Sequence, residues 1–147
     1  MTEDERRVIE ADCEKLIRRY VNLNDAQDWE AVAALYTPDA RFARPSKPGE
    51  FVHGREAILA GFTARPPRAQ RHVIANTVVD VEDTDNARAF SVIVLYMGDA
   101  VEDDAGKGAL PKMDPKSPLV GTFTDRLVRT AEGWRFAERV GGLDFAP

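Results

Sequence analysis

The chain contains two histidines, and one of them, His72, stands near the start of an alternating run, residues 70–81 (QRHVIANTVVDV), rich in β-branched side chains. Alternation sends every second side chain of such a strand to one face, so His72, Ile74 and Asn76 are expected to share a face and can point into a pocket. Imidazole titrates near neutrality, which makes His72 the leading candidate for moving a proton. The other use of a histidine in a strand is as a packed, hydrogen-bonded core residue. Asn76 on the same face either orients a substrate carbonyl or bonds the backbone.

A base of this kind needs a carboxylate to orient it. Asp25 falls just past an expected helix and before Trp29, in a segment that could project inward. Asp28 reads better as a helix cap, and Asp39 as part of a helix-ending turn. Asp125 sits inside a run of β formers, residues 121–129 (GTFTDRLVR), where alternation places it with Phe123 and Leu127. There it is either on the solvent face or paired in the interior. Carboxylate and imidazole together, in an apolar pocket, support proton transfer without a cofactor.

Other chemistries find no motif. There is no glycine-rich phosphate loop, no Gly-x-Ser-x-Gly elbow, and no Cys or His cluster with metal-ligand spacing. His53, in a loop, is too far along the chain from His72 to suggest a zinc site, so no metal is expected. The single cysteine, Cys13, falls at helical spacing with Ile9, Leu16, Ile17 and Tyr20 and reads as a small buried apolar residue. Three arginines in residues 65–71 (RPPRAQR) read as a solvated turn before the strand, contact with a phosphate or carboxylate being their other use.

A length of 147 residues suits one domain with a core and room for a pocket. Apolar content of 44% and charged content of 31% are ordinary globular values. No apolar run approaches the roughly 20 residues that span a bilayer, so no membrane partner is expected. The first residues, MTEDERR, are charged where a secretory signal needs an apolar stretch, and the expected location is cytoplasmic. Net charge is −5, with basic residues spread among acids, which argues against nucleic acid as a partner.

These candidates must be positioned by elements that the periodicity outlines. Residues 4–23 form an expected helix through Val8, Ile9, Cys13, Leu16, Ile17, Tyr20 and Val21. Asp28 caps a second helix through Trp29, Val32, Ala33 and Tyr36, which Thr37-Pro38-Asp39 ends because the residue before proline avoids the helical region. Residues 40–43 suggest a short strand, and a third helix carries Ile58, Leu59 and Phe62 until Pro66-Pro67. Residues 70–81, 87–97, 120–130 and 133–141 are strand-like with short turns between most of them, and short turns require antiparallel pairing. Residues 98–118, with little apolar content, are expected to be a flexible hairpin tip or pocket lid. Helices first and a strand meander afterwards indicate an α+β domain.

The segments YVNLNDAQDWEAVAALYTPDARF (20–42), GREAI (54–58), RHVIAN (71–76) and GWRFAER (133–139) resemble, in this order, the SnoaL-like branch of the nuclear-transport-factor-two-like superfamily. The resemblance covers essentially the whole chain. It implies a cone in which N-terminal helices close the concave side of a strongly curved antiparallel sheet around a pocket, with frequent dimerisation through the sheet. Members include scytalone dehydratase, ketosteroid isomerase, polyketide cyclases, limonene epoxide hydrolase and non-catalytic binding or assembly domains. Asp25 and His72 match the positions of the catalytic aspartate and a catalytic histidine in scytalone dehydratase-like members. Two departures stand out: Asn24 precedes Asp25 where that enzyme has a tyrosine, and no second pocket histidine is present. Nor is there an Arg-x-Asp arrangement of the epoxide hydrolase kind.

The expected activity is that of a cofactor-independent lyase or isomerase on a small, apolar carbonyl metabolite. Asp25 would hold the His72 tautomer, His72 would take the proton beside the carbonyl, and Asn76 or Tyr96 would bond the developing enolate. Trp29, Phe42, Phe62 and Phe123 would form the apolar walls, with Asp125 also near the substrate. Ala33, Ala43, Ala75 and Ala89 leave internal room. The alternative is a non-enzymatic ligand-binding or assembly domain in which His72 only satisfies buried hydrogen bonds. An outward sheet face of Val73, Ala75, Val79 and Val81 is expected to carry a homodimer contact.

Overall fold

The computed structural model describes residues 1–147. Helix α1 (Glu3–Asp25) begins with a capping box in which the Thr2 side chain accepts from the Glu5 N–H and the Glu5 carboxylate accepts from the Thr2 N–H. Its stripe of Ile9, Cys13, Leu16, Ile17, Tyr20 and Val21 is buried against the sheet, as the spacing requires. Burial, with Asp12 adding to it, pushes the Cys13 thiol up to about 12. The native protein should therefore resist Ellman's reagent at mildly alkaline pH, and the single thiol should react fully once denaturant is added. Rapid reaction without denaturant would contradict this burial.

Asp28 caps helix α2 (Trp29–Ala33), its carboxylate accepting from the Ala31 N–H. This helix ends earlier than the periodicity suggests, and Tyr36 already opens strand β1 (Tyr36–Ala43). The cause is tertiary. The Leu35 carbonyl accepts from the Phe136 N–H, and the fully buried Tyr36 packs on Phe136. The short strand β2 (Val52–His53) precedes helix α3 (Arg55–Thr63), which buries Ile58 and Phe62.

Four long strands follow: β3 (Arg68–Val81), β4 (Asn86–Asp99), β5 (Leu119–Thr130) and β6 (Gly133–Leu143). The sheet order is β2-β1-β6-β5-β4-β3, open at both edges, and the fold is α+β. The meander β3 to β6 is antiparallel throughout, but β1 pairs with β6 in parallel, so the sheet is mixed rather than wholly antiparallel. The short-turn rule governs only strands that follow one another. β1 reaches β6 from a distant part of the chain and is free of it.

Strand β3 changes phase midway. Its pairing with β4 slips between Ala75 and Val78, and Asn76 takes a φ of 49° there, a conformation asparagine tolerates better than most residues. Beyond this bulge Val79 and Val81 turn to the core and Val78 turns outward, 58% exposed. The expected outward face therefore keeps Val73 and Ala75 but loses Val79 and Val81, because one extra residue inverts a period-2 pattern.

Residues 98–118 do not form a lid over the pocket described below. The segment folds back beside β4, with Asp114 N–H donating to the Met97 carbonyl and Met97 N–H donating to Ser117 Oγ. Its residues 111–113 border a shallow hollow with Arg71 and Tyr96, on the sheet face opposite His72. A Cβ at Gly98 would lie 2.4 Å from the Lys112 carbonyl oxygen, so the close approach of this return requires glycine.

Candidate active site

The end of α1 and the start of β3 meet at Asp25 and His72. Asp25 is the last residue of α1 rather than part of the loop after it, and its side chain is only 3% exposed. One carboxylate oxygen, Oδ2, accepts the His72 backbone N–H at 2.8 Å, and the other, Oδ1, lies 2.5 Å from His72 Nδ1. Gln70 Nε2 adds a longer contact to Oδ1 at 3.4 Å. In the neutral imidazole, an Nδ1 proton donated to this carboxylate leaves Nε2 with its lone pair.

His72 lines a cavity of about 170 Å³ between the helices and the sheet. Phe42, Phe62 and Phe123 form apolar walls with Ile93, Leu95 and Leu119. Trp29 does not reach the cavity. It stacks on Phe62 at 5.2 Å between ring centroids and supports that wall from behind. Tyr20, whose hydroxyl lies 2.7 Å from that of Tyr36, contributes another wall. Burial raises both phenols above their ordinary range, so each stays protonated and neutral.

Two expected contributors are not brought to this cavity. Asn76 is exposed at the β3 bulge, where the phase change has taken it off the His72 face. Tyr96 pairs with Arg71 across β3 and β4, and so lies on the opposite face from His72 and Leu95. The error in both cases is one of strand parity.

Asp125 points inward but lies one layer beneath the cavity. It accepts two hydrogen bonds from Arg139, at 2.8 and 3.1 Å, and both side chains are fully buried. The Arg139 guanidinium sits 3.9 Å from the Phe123 ring centroid, 4.3 Å from that of Tyr20 and 4.4 Å from that of Phe136. Burial would lower its basicity, but the adjoining Asp125 outweighs this, and Arg139 is held charged. This pair supports two cavity walls and does not contact the space itself.

Five polar liners lie outside the expected site: Asn24, Arg44, Ser46, Arg65 and Arg68. Asn24 Oδ1 accepts from Gln70 Nε2 at 2.8 Å, while its amide nitrogen makes no hydrogen bond within the chain. Arg65 and Arg68 belong to the basic run 65–71, for which the sequence suggests a solvated turn or, as its other use, contact with a phosphate or carboxylate. Arg44 carries no such signal. No three His, Cys, Asp or Glu side chains converge as a metal-binding group would need.

The SnoaL-like domain family matches residues 6–140 of the chain. No curated protein sequence matches it. Among solved structures, a candidate scytalone dehydratase from Novosphingobium aromaticivorans shares 22% identity at a TM-score of 0.79, covering 98% of this chain and 89% of that one. A variant of Rv3472, a protein of unknown function from Mycobacterium tuberculosis, shares 26% identity at a TM-score of 0.76, over 97% of this chain and 76% of that one. A hexachlorocyclohexane dehydrochlorinase, LinA type 2, shares 13% identity at a TM-score of 0.77, over 98% and 90%. The identities of 22% and 13% carry the fold and not the activity.

Proposed function

Because the chain belongs to the SnoaL-like family, we propose that it is a cofactor-independent lyase or isomerase in which Asp25 and His72 act on a small carbonyl compound. The observation that carries this reading is the 2.5 Å contact between Asp25 and His72 at the wall of an open, largely apolar cavity. A binding or assembly domain has no need of an oriented imidazole there. Names of two structural relatives, a dehydratase and a dehydrochlorinase, describe eliminations and lend support.

In the proposed step, His72 Nε2 takes a proton from the carbon next to the carbonyl, and the electron pair of that C–H bond moves to the carbonyl oxygen as an enolate. Asp25 accepts the Nδ1–H bond and stabilises the imidazolium that forms. The free amide of Asn24 replaces Asn76 and Tyr96 as donor to the enolate oxygen. Collapse of the enolate with loss of a β leaving group is an elimination; return of the proton to another carbon is an isomerisation. The experiment is deuterium exchange in D2O, followed by proton NMR over a panel of small cyclic and aromatic carbonyl compounds. Protein-dependent exchange or elimination in at least one compound is expected, and none in a compound shown to bind would favour a binding domain.

The same reading includes a homodimer through the sheet and, for a chain whose one thiol is buried and unpaired, a cytoplasmic setting. Val73, Val78, Phe90 and Tyr96 are exposed on the outer face of β3 and β4 and supply the apolar surface for association. Light scattering after size exclusion should give twice the chain mass, and a monomer at high concentration would refute the contact.

A further inference from the structure

The cavity wall carries three cations and no anion. Arg44, Arg65 and Arg68 line it, and no aspartate or glutamate does. Elsewhere in this acidic chain arginines are generally matched: Arg41 to Glu138, Arg88 to Glu82, Arg129 to Asp85, Arg139 to Asp125. Arg44, Arg65 and Arg68 have no carboxylate within ion-pair distance. Arg68 bonds only neutral acceptors, Gln70 Oε1 at 2.9 Å and Met97 Sδ at 3.2 Å. Arg65 lies 4.3 Å over the Phe62 ring, which fixes the guanidinium at the wall.

Such an arrangement costs free energy unless something neutralises it. Burial, and after it the neighbouring Arg44, lowers the basicity of Arg65 to about 10. Arg68 is lowered by the same two causes, against which Asp25 and Asp114 act weakly. Three guanidinium groups thus share the lining of one space with apolar walls.

We infer that Arg44, Arg65 and Arg68 receive a carboxylate of the ligand, so that the pocket takes a cyclic or aromatic carbonyl compound that also carries a carboxylate rather than a neutral one. Parity places Arg68 and His72 on the same face of β3, four residues and therefore about 13 Å apart along the strand. That separation leaves room for a ring between the anionic group and the carbon from which His72 takes its proton. This inference rests on the reading of the cavity as the ligand site, and it names the substrate class of that site.

The test compares two probes of the same shape, 2-naphthoate and 2-naphthamide, by titration calorimetry on the intact protein and its variants. The acid should bind about tenfold or more tightly than the amide at low salt, and added salt should shrink the difference. In R65Q and R68Q the preference for the acid should disappear. R44Q, at an exposed position that does not threaten folding, should reduce the preference several-fold by itself. H72Q should retain it. Equal affinity for the two probes, no binding of either, or a preference that survives in R44Q and R65Q would overturn the inference, as would loss of the preference in H72Q alone, which would place the charge on the imidazole. Failure of the proton-transfer reading is registered separately, as exchange activity that persists in H72Q whatever the charge preference.

Discussion

His72→Gln is expected to lower exchange or turnover by about 100-fold or more while leaving the fold intact. Glutamine keeps a polar group of similar reach, and its amide can still donate to Asp25 Oδ1, so the partly buried site loses no hydrogen bond that would loosen the strand. It has no lone pair of comparable basicity to accept a proton. Far-UV and near-UV circular dichroism should match the parent, which separates loss of the base from loss of structure. Asp25→Asn is the companion variant. Its single amide oxygen cannot accept both the His72 backbone N–H and Nδ1–H, and with the NH2 group facing Nδ1 the imidazole takes the other tautomer, with Nε2 protonated and useless as a base. That variant should also be impaired, though the carboxylate additionally holds the His72 backbone N–H and some loss of stability is expected with it. An undiminished rate in the folded H72Q protein would remove His72 from the mechanism.

The elements that sequence periodicity located well were those whose pattern had one cause. α1 reads clearly because its apolar stripe keeps one phase from Ile9 to Val21, and β4 to β6 because their alternation is unbroken over most of each strand. β1 does not, because Trp29, Val32, Ala33 and Tyr36 fit a helix as well as a strand, and the decision is made by Phe136, a hundred residues later. The bulge at Asn76 is likewise invisible to a period-2 reading, which assumes unbroken register. This single feature removed Asn76 from the site and turned Val79 and Val81 inward.

The candidate site divides in the same way. Asp25 and His72 could be paired on paper because a histidine near the start of a strand and an aspartate at the end of a helix are each unusual enough to notice. The arginines were harder. RPPRAQR has the composition of an exposed turn, and only the three-dimensional path brings Arg65 and Arg68 over the cavity beside Arg44, twenty residues earlier. Asp125 was read as paired or exposed, but its partner Arg139 could not be chosen among 20 basic residues without the β5 to β6 register that sets them opposite.

That register allows the largest stability effect to be anticipated. Asp125→Ala should destabilise the protein by about 3–5 kcal/mol, because it leaves the fully buried Arg139 guanidinium without its counter-charge. The three aromatic faces around Arg139 offset only part of this, since a ring quadrupole is a weaker partner than a bidentate carboxylate. Arg139→Met should cost a comparable amount by stranding Asp125. The double variant, Asp125→Ala with Arg139→Met, removes both charges and is expected to lose much less than the sum, as a coupled pair should. Urea unfolding of the four proteins measures the cycle. Additive losses, or a single-variant cost below about 1 kcal/mol, would mean that the pair is not the buried interaction the geometry describes. Because the guanidinium carries Tyr20 and Phe123, both walls of the cavity, a partly stable single variant should also bind 2-naphthoate more weakly even though neither Asp125 nor Arg139 touches the space.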